Sequence, residues 1–218
     1  MANSRGTIYG LTALCPIKDD EGDERPHHMQ LREYLAALQR DQRSPFSAIS
    51  STHLARLAVL DDVVFVGAPA MEEHLSSRYL VFVSNFDGDL DSYLTRMARE
   101  VPWFVDDVWS HCTGYPGTRD PVAFVAYMKT CQLETTFLFA DVDDKTVQET
   151  LTALEVQSEL VAFVEENQGR AGEDLKSAFD RHLRHIRTMP PLVPGVRALV
   201  VSEKTATVHS TSLTVNDT

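Results

Sequence analysis

Residues 79–89 read Tyr79-Leu80-Val81-Phe82-Val83-Ser84-Asn85-Phe86-Asp87-Gly88-Asp89, and the fold turns on them. The unbroken apolar run 79–83 is strand-sized, and such a run predicts a strand buried on both faces. Serine, asparagine, aspartate and glycine over 84–88 are turn formers, so the strand is expected to stop there. Asp89 then reads as the N-cap of a helix over 90–99, with Leu90, Tyr93, Leu94 and Met97 on one stripe. Pro102 breaks that helix.

Upstream, 7–17 (TIYGLTALCPI) is rich in β-formers, and 19–25 (DDEGDER) is an acidic loop closed by Pro26. Leu31, Leu35 and Leu38 lie at i, i+4 and i+7, which predicts a helix over 29–39. Residues 54–60 (LARLAVL) read as a strand, and Asp61-Asp62 as a tight turn into 63–66. Downstream, 105–112 (VDDVWSHC) reads as a further strand. With the 54–66 hairpin counted as one element, the resulting order is β-α-β-β-α-β, the split unit of ferredoxin-like α+β folds.

The rest of the chain is α-rich. Asp120-Pro121 opens a helix to about residue 129, a strand is expected over 135–142, and helices over 145–167 and 173–187. Pro190, Pro191 and Pro194 end helical structure, 197–201 reads as a last strand, and 205–218 as a polar tail. The division expected from this pattern is 1–118, 119–204 and 205–218. A ferredoxin-like sheet carries helices on one face only, so its other face needs a partner sheet, in cis or in a homodimer. The space between two sheets is a natural small-molecule site.

Composition narrows the function. The 218 residues carry 20 basic and 32 acidic side chains, a formal charge of −12, which disfavours nucleic acid and anionic membrane surfaces as partners. No apolar run approaches the roughly 18 residues of a membrane helix, and no secretory leader is visible. Three cysteines without CxxC spacing speak against a disulfide framework or a structural zinc, so a reducing cytoplasm is the expected location. Walker, G-x-G-x-x-G, H-E-x-x-H and G-x-S-x-G motifs are all missing.

The candidate site residues gather at strand ends. His53 and Arg56 sit in Thr52-His53-Leu54-Ala55-Arg56, Asn85 and Asp87 end the central strand, and His111 ends the segment 105–112. Period-two alternation sets His53 on the face of Ala55 and Leu57, with Arg56 opposite. If the three strands are neighbours, imidazoles, a guanidinium and a carboxylate border one cavity. Each has a plainer reading: a hydrogen-bonded core histidine for His53, turn chemistry for Asp87-Gly88, a small buried hydrophobe for Cys112.

The segments THLAR (52–56), SNFDGDLDSYL (84–94) and WSHCTGYPG (109–117) resemble those of a little-characterised bacterial family similar to the dimeric α+β barrel proteins. The resemblance covers about the first 120 residues and implies a fold rather than a reaction. A second stretch, Arg181-His182-Leu183-Arg184-His185-Ile186-Arg187 before Pro190-Pro191, is similar to the region of the proximal haem histidine in dye-decolourising peroxidases. That likeness implies haem as cofactor, His185 as its axial metal ligand, Asp87 as a distal acid, and a peroxidase-like oxidoreductase. Position 84 is Ser where the peroxidase motif begins with Gly, and the helix dipole at a C-terminus accounts for the basic residues without a ligand. The alternative is a small-molecule-binding protein, or an enzyme of the α+β barrel class, without a cofactor.

Overall fold

The computed structural model describes residues 3–19, 25–38, 44–63, 67–68, 74–140, 145–192 and 194. The chain divides into two compact units, residues 1–146 and 147–218.

The first unit is mixed α+β. In chain order it contains β1 (Ser4–Arg5), β2 (Ile8–Pro16), α1 (His27–Leu38), a short 3-10 turn (Pro45–Ala48), β3 (Thr52–Leu60), β4 (Tyr79–Asp87), α2 (Leu90–Glu100), α3 (Pro102–Trp109) and α4 (Pro121–Cys131). The four strands form one antiparallel sheet in the order β1-β2-β4-β3. The 79–83 run is therefore interior, as expected, but the strand runs on to Asp87. Only one of its faces is sealed. Leu80, Phe82, Ser84 and Phe86 are buried, whereas Tyr79, Val81, Val83, Asn85 and Asp87 are half-buried. The pleat alternates, and the helices pack against the first set. Phe82 meets Trp109 edge-on and Phe86 stacks on Tyr93, so α2 and α3 lock directly onto β4.

Local chemistry sets the helix starts. The Asp89 carboxylate accepts from the Ser92 N–H at 2.9 Å to cap α2, and Gly88 turns the chain with φ of 96°. Asp120 accepts from the N–H groups of Val122 and Ala123 at the head of α4, with Pro121 in the first turn.

Two expected strands are absent. Residues 105–112 are not a strand: 102–109 form α3, and Phe104, Val105, Val108 and Trp109 make a fully helical buried stripe. Pro102 ends one helix and starts the next, since its fixed φ and missing N–H suit a first turn. The position a sixth element would take beside β2 holds β1 and two single bridges, Ala13 with Gln132 and Ile17 with Cys112. Residues 135–140 form no strand either. They cross the sheet closely enough that a Cβ on Gly10 would lie 2.9 Å from Leu138 Cδ1. A side chain at residue 10 would require the Leu138 side chain to shift. The strand expected over 63–66 falls largely outside the described residues, as do 141–142, the strand expected over 197–201 and the tail 205–218.

α4 packs on α2 and β2, so the first unit continues past residue 118 to Thr146. The second unit holds α5 (Val147–Glu166) and α6 (Gly172–Thr188), as the periodicity predicted. Phe163 of α5 meets Phe179 and His182 of α6, with ring centroids 5.6 and 4.9 Å apart. Among the described residues no helix is long and apolar enough to cross a membrane.

Candidate functional site

The strongest polar contact between the expected site residues lies where β3 and β4 meet at one end of the sheet. β3 carries an irregularity there: Thr52 pairs with Phe86 and Leu54 with Asn85, which leaves His53 as an extra residue. Such a bulge shifts the pleat by one position. His53 is thereby taken off the face of Ala55 and Leu57, where simple alternation put it, and its Nε2 lies 2.7 Å from Asp87 Oδ1. Both side chains are largely covered, 17% exposed for His53 and 13% for Asp87. A carboxylate only accepts, so Nε2 is the donor of this bond. Nδ1 has no partner among the described residues.

Asn85 shares this face two positions along β4. Asp87 continues into a wide-mouthed cleft of about 590 Å³, walled by Tyr9, Gly88, Asp89 and Leu90, with the β1–β2 turn at Gly6-Thr7 along its rim. Tyr9 stacks on Phe86, and its hydroxyl receives the Gln132 amide at 2.8 Å, so the phenol is fixed from two sides. Asp89 is held below the usual carboxylate range, chiefly by the Ser92 backbone N–H. It is charged at neutral pH.

Beneath the bulge is a buried hydroxyl relay. Ser84 Oγ lies 2.8 Å from the Tyr93 hydroxyl and donates to the Leu54 carbonyl at 3.1 Å, while Thr52 Oγ1 reaches the same phenol at 3.4 Å. Burial pushes the Tyr93 phenol upward, so it stays protonated. Alternation could have placed Ser84 in the core, but nothing local ties it to Tyr93.

The other expected members are elsewhere. Arg56 is opposite Val83 on the open face, exposed, without a hydrogen bond or ion pair among the described residues. His111 follows α3 at the far end of β2, where its carbonyl accepts from the Lys18 N–H at 3.0 Å. Eight strand steps of about 3.4 Å separate Ile8, opposite Asp87, from Pro16, so His111 is about 27 Å from the His53 pair. The structure does not bring it to that group. Its partner is His27, with Nδ1 to Nδ1 at 2.8 Å, and burial first, then His27 and Lys18, lower its pKa. This pairing had no sequence signal, because 84 residues separate the two rings.

His185 lies on α6, 63% exposed, 4.0 Å from a Glu159 carboxylate oxygen. A haem macrocycle needs a walled apolar pocket around its axial ligand, and an exposed imidazole facing a carboxylate does not supply one. These residues do not fit the group. Among the described residues no three His, Cys, Asp or Glu side chains are grouped to hold a metal ion. The cysteines do converge without a disulfide: Cys15, Cys112 and Cys131 are all free. The Cys112 hydrogen bond, before burial, holds the Cys15 thiol up at about 12, so it is fully protonated at neutral pH.

Compared with protein-family models, with curated proteins and with solved structures, the chain matches none.

Proposed function

We propose that the first unit binds a small molecule in the cleft at Asp87 and exchanges a proton with it through the Asp87–His53 pair. The carrying observation is the 2.7 Å bond between two largely covered groups of which one, Asp87, borders a cavity of ligand size. His53 is the positioning residue: its Nε2–H fixes the carboxylate and stabilises its charge. A proton lost by a ligand passes to the Asp87 carboxylate, which the His53 N–H holds in place. The chemistry rests on side chains of this chain and calls for no axial ligand at His185.

The ferredoxin-like, α+β barrel reading draws support from the β2-β4-β3 order with helices on one face, and from the half-covered opposite face where Leu54 is 52% exposed. A second copy over that face would complete a barrel.

The test is a small-molecule fragment screen followed by backbone amide resonances. Binders should shift Gly88, Asp89, Leu90 and Tyr9, and Asp87→Asn should weaken them about tenfold, the loss of one charged hydrogen bond. A bound carbon acid should take up deuterium from D2O faster than when free, and His53→Asn should move the pH profile of that exchange. Binders that map only to other surfaces, or exchange indifferent to both substitutions, would reject the proposal.

A further inference from the structure

The outer edge of β3 offers a strand-sized binding surface. Backbone directions in β4 follow from its ends: the Asp87 N–H bonds Ser51 on the β3 side, and the Gly88 N–H bonds Thr7 on the β2 side. An antiparallel ladder alternates, so Val81, Val83 and Asn85 direct their amides and carbonyls to β3, and Leu80, Phe82 and Ser84 direct theirs to β2. Opposite the latter stand Val59, Leu57 and Ala55, which therefore turn their own N–H and C=O away from the sheet. The Val59 carbonyl is taken by the Arg32 guanidinium at 3.1 Å. Ala55 and Leu57 keep two donors and two acceptors without partners among the described residues.

A groove of about 350 Å³ runs beside this edge, walled by Leu35, Leu38, Phe46, Phe104 and the side chains of Ala55 and Leu57. Arg56 borders the same groove and carries no ion pair among the described residues. An added strand sets each of its side chains on the face of the residue it pairs with. Residues opposite Ala55 and Leu57 would enter the apolar groove, and the residue between them would come up beside the Arg56 guanidinium.

We infer that β3 is a site of strand addition for an extended peptide segment of a partner protein with an aliphatic–acidic–aliphatic pattern. Charge selects this occupant over a second copy. Pairing the 55–57 stretch with itself sets Arg56 opposite Arg56, and like charges directly across a ladder are unfavourable. An acidic residue there reverses the sign.

The experiment uses the full chain and a capped seven-residue peptide with valine–glutamate–valine at its centre and threonine flanks. Titration should shift the amides of residues 54–58 and those of Leu35 and Leu38. Replacing glutamate by lysine should weaken binding about fivefold, the range of an exposed ion pair, and Arg56→Glu should reverse that preference. Methylating the amide nitrogens of both valines should weaken it at least about tenfold. Ala55→Pro removes an outward donor from an edge strand while leaving the β4 ladder intact, and should have a similar effect. The inference is overturned if methylated and unmethylated peptides bind alike, if Arg56→Glu leaves the preference unchanged, or if millimolar peptide leaves β3 unperturbed. Protection of the outward Ala55 and Leu57 amides from hydrogen exchange that grows with protein concentration, without peptide, would overturn it in favour of a second copy at this edge.

Discussion

Removing the His53 imidazole should cost the first unit about 2–3 kcal/mol, because a hydrogen bond to a charged group is worth about 1.5–3 kcal/mol and a covered carboxylate is left short of a donor. The covering is the reason for the upper part of that range: Asp87 is only 13% exposed, so water replaces the imidazole poorly. Asp87→Asn keeps an acceptor oxygen for Nε2–H and loses only the charge, so its cost should be near 1 kcal/mol. The double substitution His53→Ala with Asp87→Asn should fall short of the sum by about 1 kcal/mol, since the second change acts on a bond already gone. Both tryptophans, Trp103 and Trp109, belong to α3, so fluorescence during urea unfolding reports the first unit. Heating should show the same order, with His53→Ala lowering Tm by about 6 °C. Additivity of the two single substitutions within about 0.3 kcal/mol would refute the pairing.

Three further outcomes are expected. Tyr93→Phe should destabilise by about 1–2 kcal/mol in the same urea assay, because Ser84 Oγ and Thr52 Oγ1 lose a shared phenol in the core. Asp62 accepts from His74 and from the N–H groups of Leu75 and Val63, which holds its carboxyl at about 2, so its carbon-detected titration midpoint should lie well below the usual 3.8. The stabilisation it gives is present above the unfolded value and is lost as pH falls towards 2. For His111, a pKa below 6.5 in the fold means that the neutral ring is favoured, so its contribution is present above pH 6.5 and declines as pH drops further. Denaturant midpoints from pH 7.5 to 5 should fall in the parent chain and less steeply in His27→Ala, which has no imidazole to repel a charged His111.

How much of this could be read from the residues depends on whether a signal is local. The interior strand, the Asp89 and Asp120 caps and the helices at 90–100, 147–166 and 172–188 follow from neighbouring residues, and all are present. The segment 105–112 was misread because two valines and a tryptophan suit a strand; the spacing of Phe104, Val105, Val108 and Trp109 is helical, and burial of all four on one stripe decided the matter. Val81 looked central to the core as part of an apolar run, yet it lies on the open face, since which side the helices cover is a tertiary choice. Strand adjacency predicts His53, Asn85 and Asp87 as neighbours, and β3 and β4 set them at the same end of the sheet. It does not predict the face of His53, because a one-residue bulge reverses parity and leaves no mark in composition. His111 was expected on a strand that is a helix and a turn, which carried it to the other end of the sheet.

The sheet's two margins differ in what they allow the molecule to assemble into. Along β2 the outer backbone is closed at intervals, by β1 at Ile8 and Tyr9, by Gln132 at Ala13 and by Cys112 at Ile17. Among the described residues these short clamps leave no stretch of β2 long enough for another chain to lie down, while β3 stays open at Ala55 and Leu57. A sheet with two free margins can polymerise without limit, each added strand presenting the next. With one margin blocked, valency is one: a single incoming strand ends the series. Substitutions that loosen the clamps on β2, rather than those that alter β3, are the ones expected to turn a finite complex into a fibre.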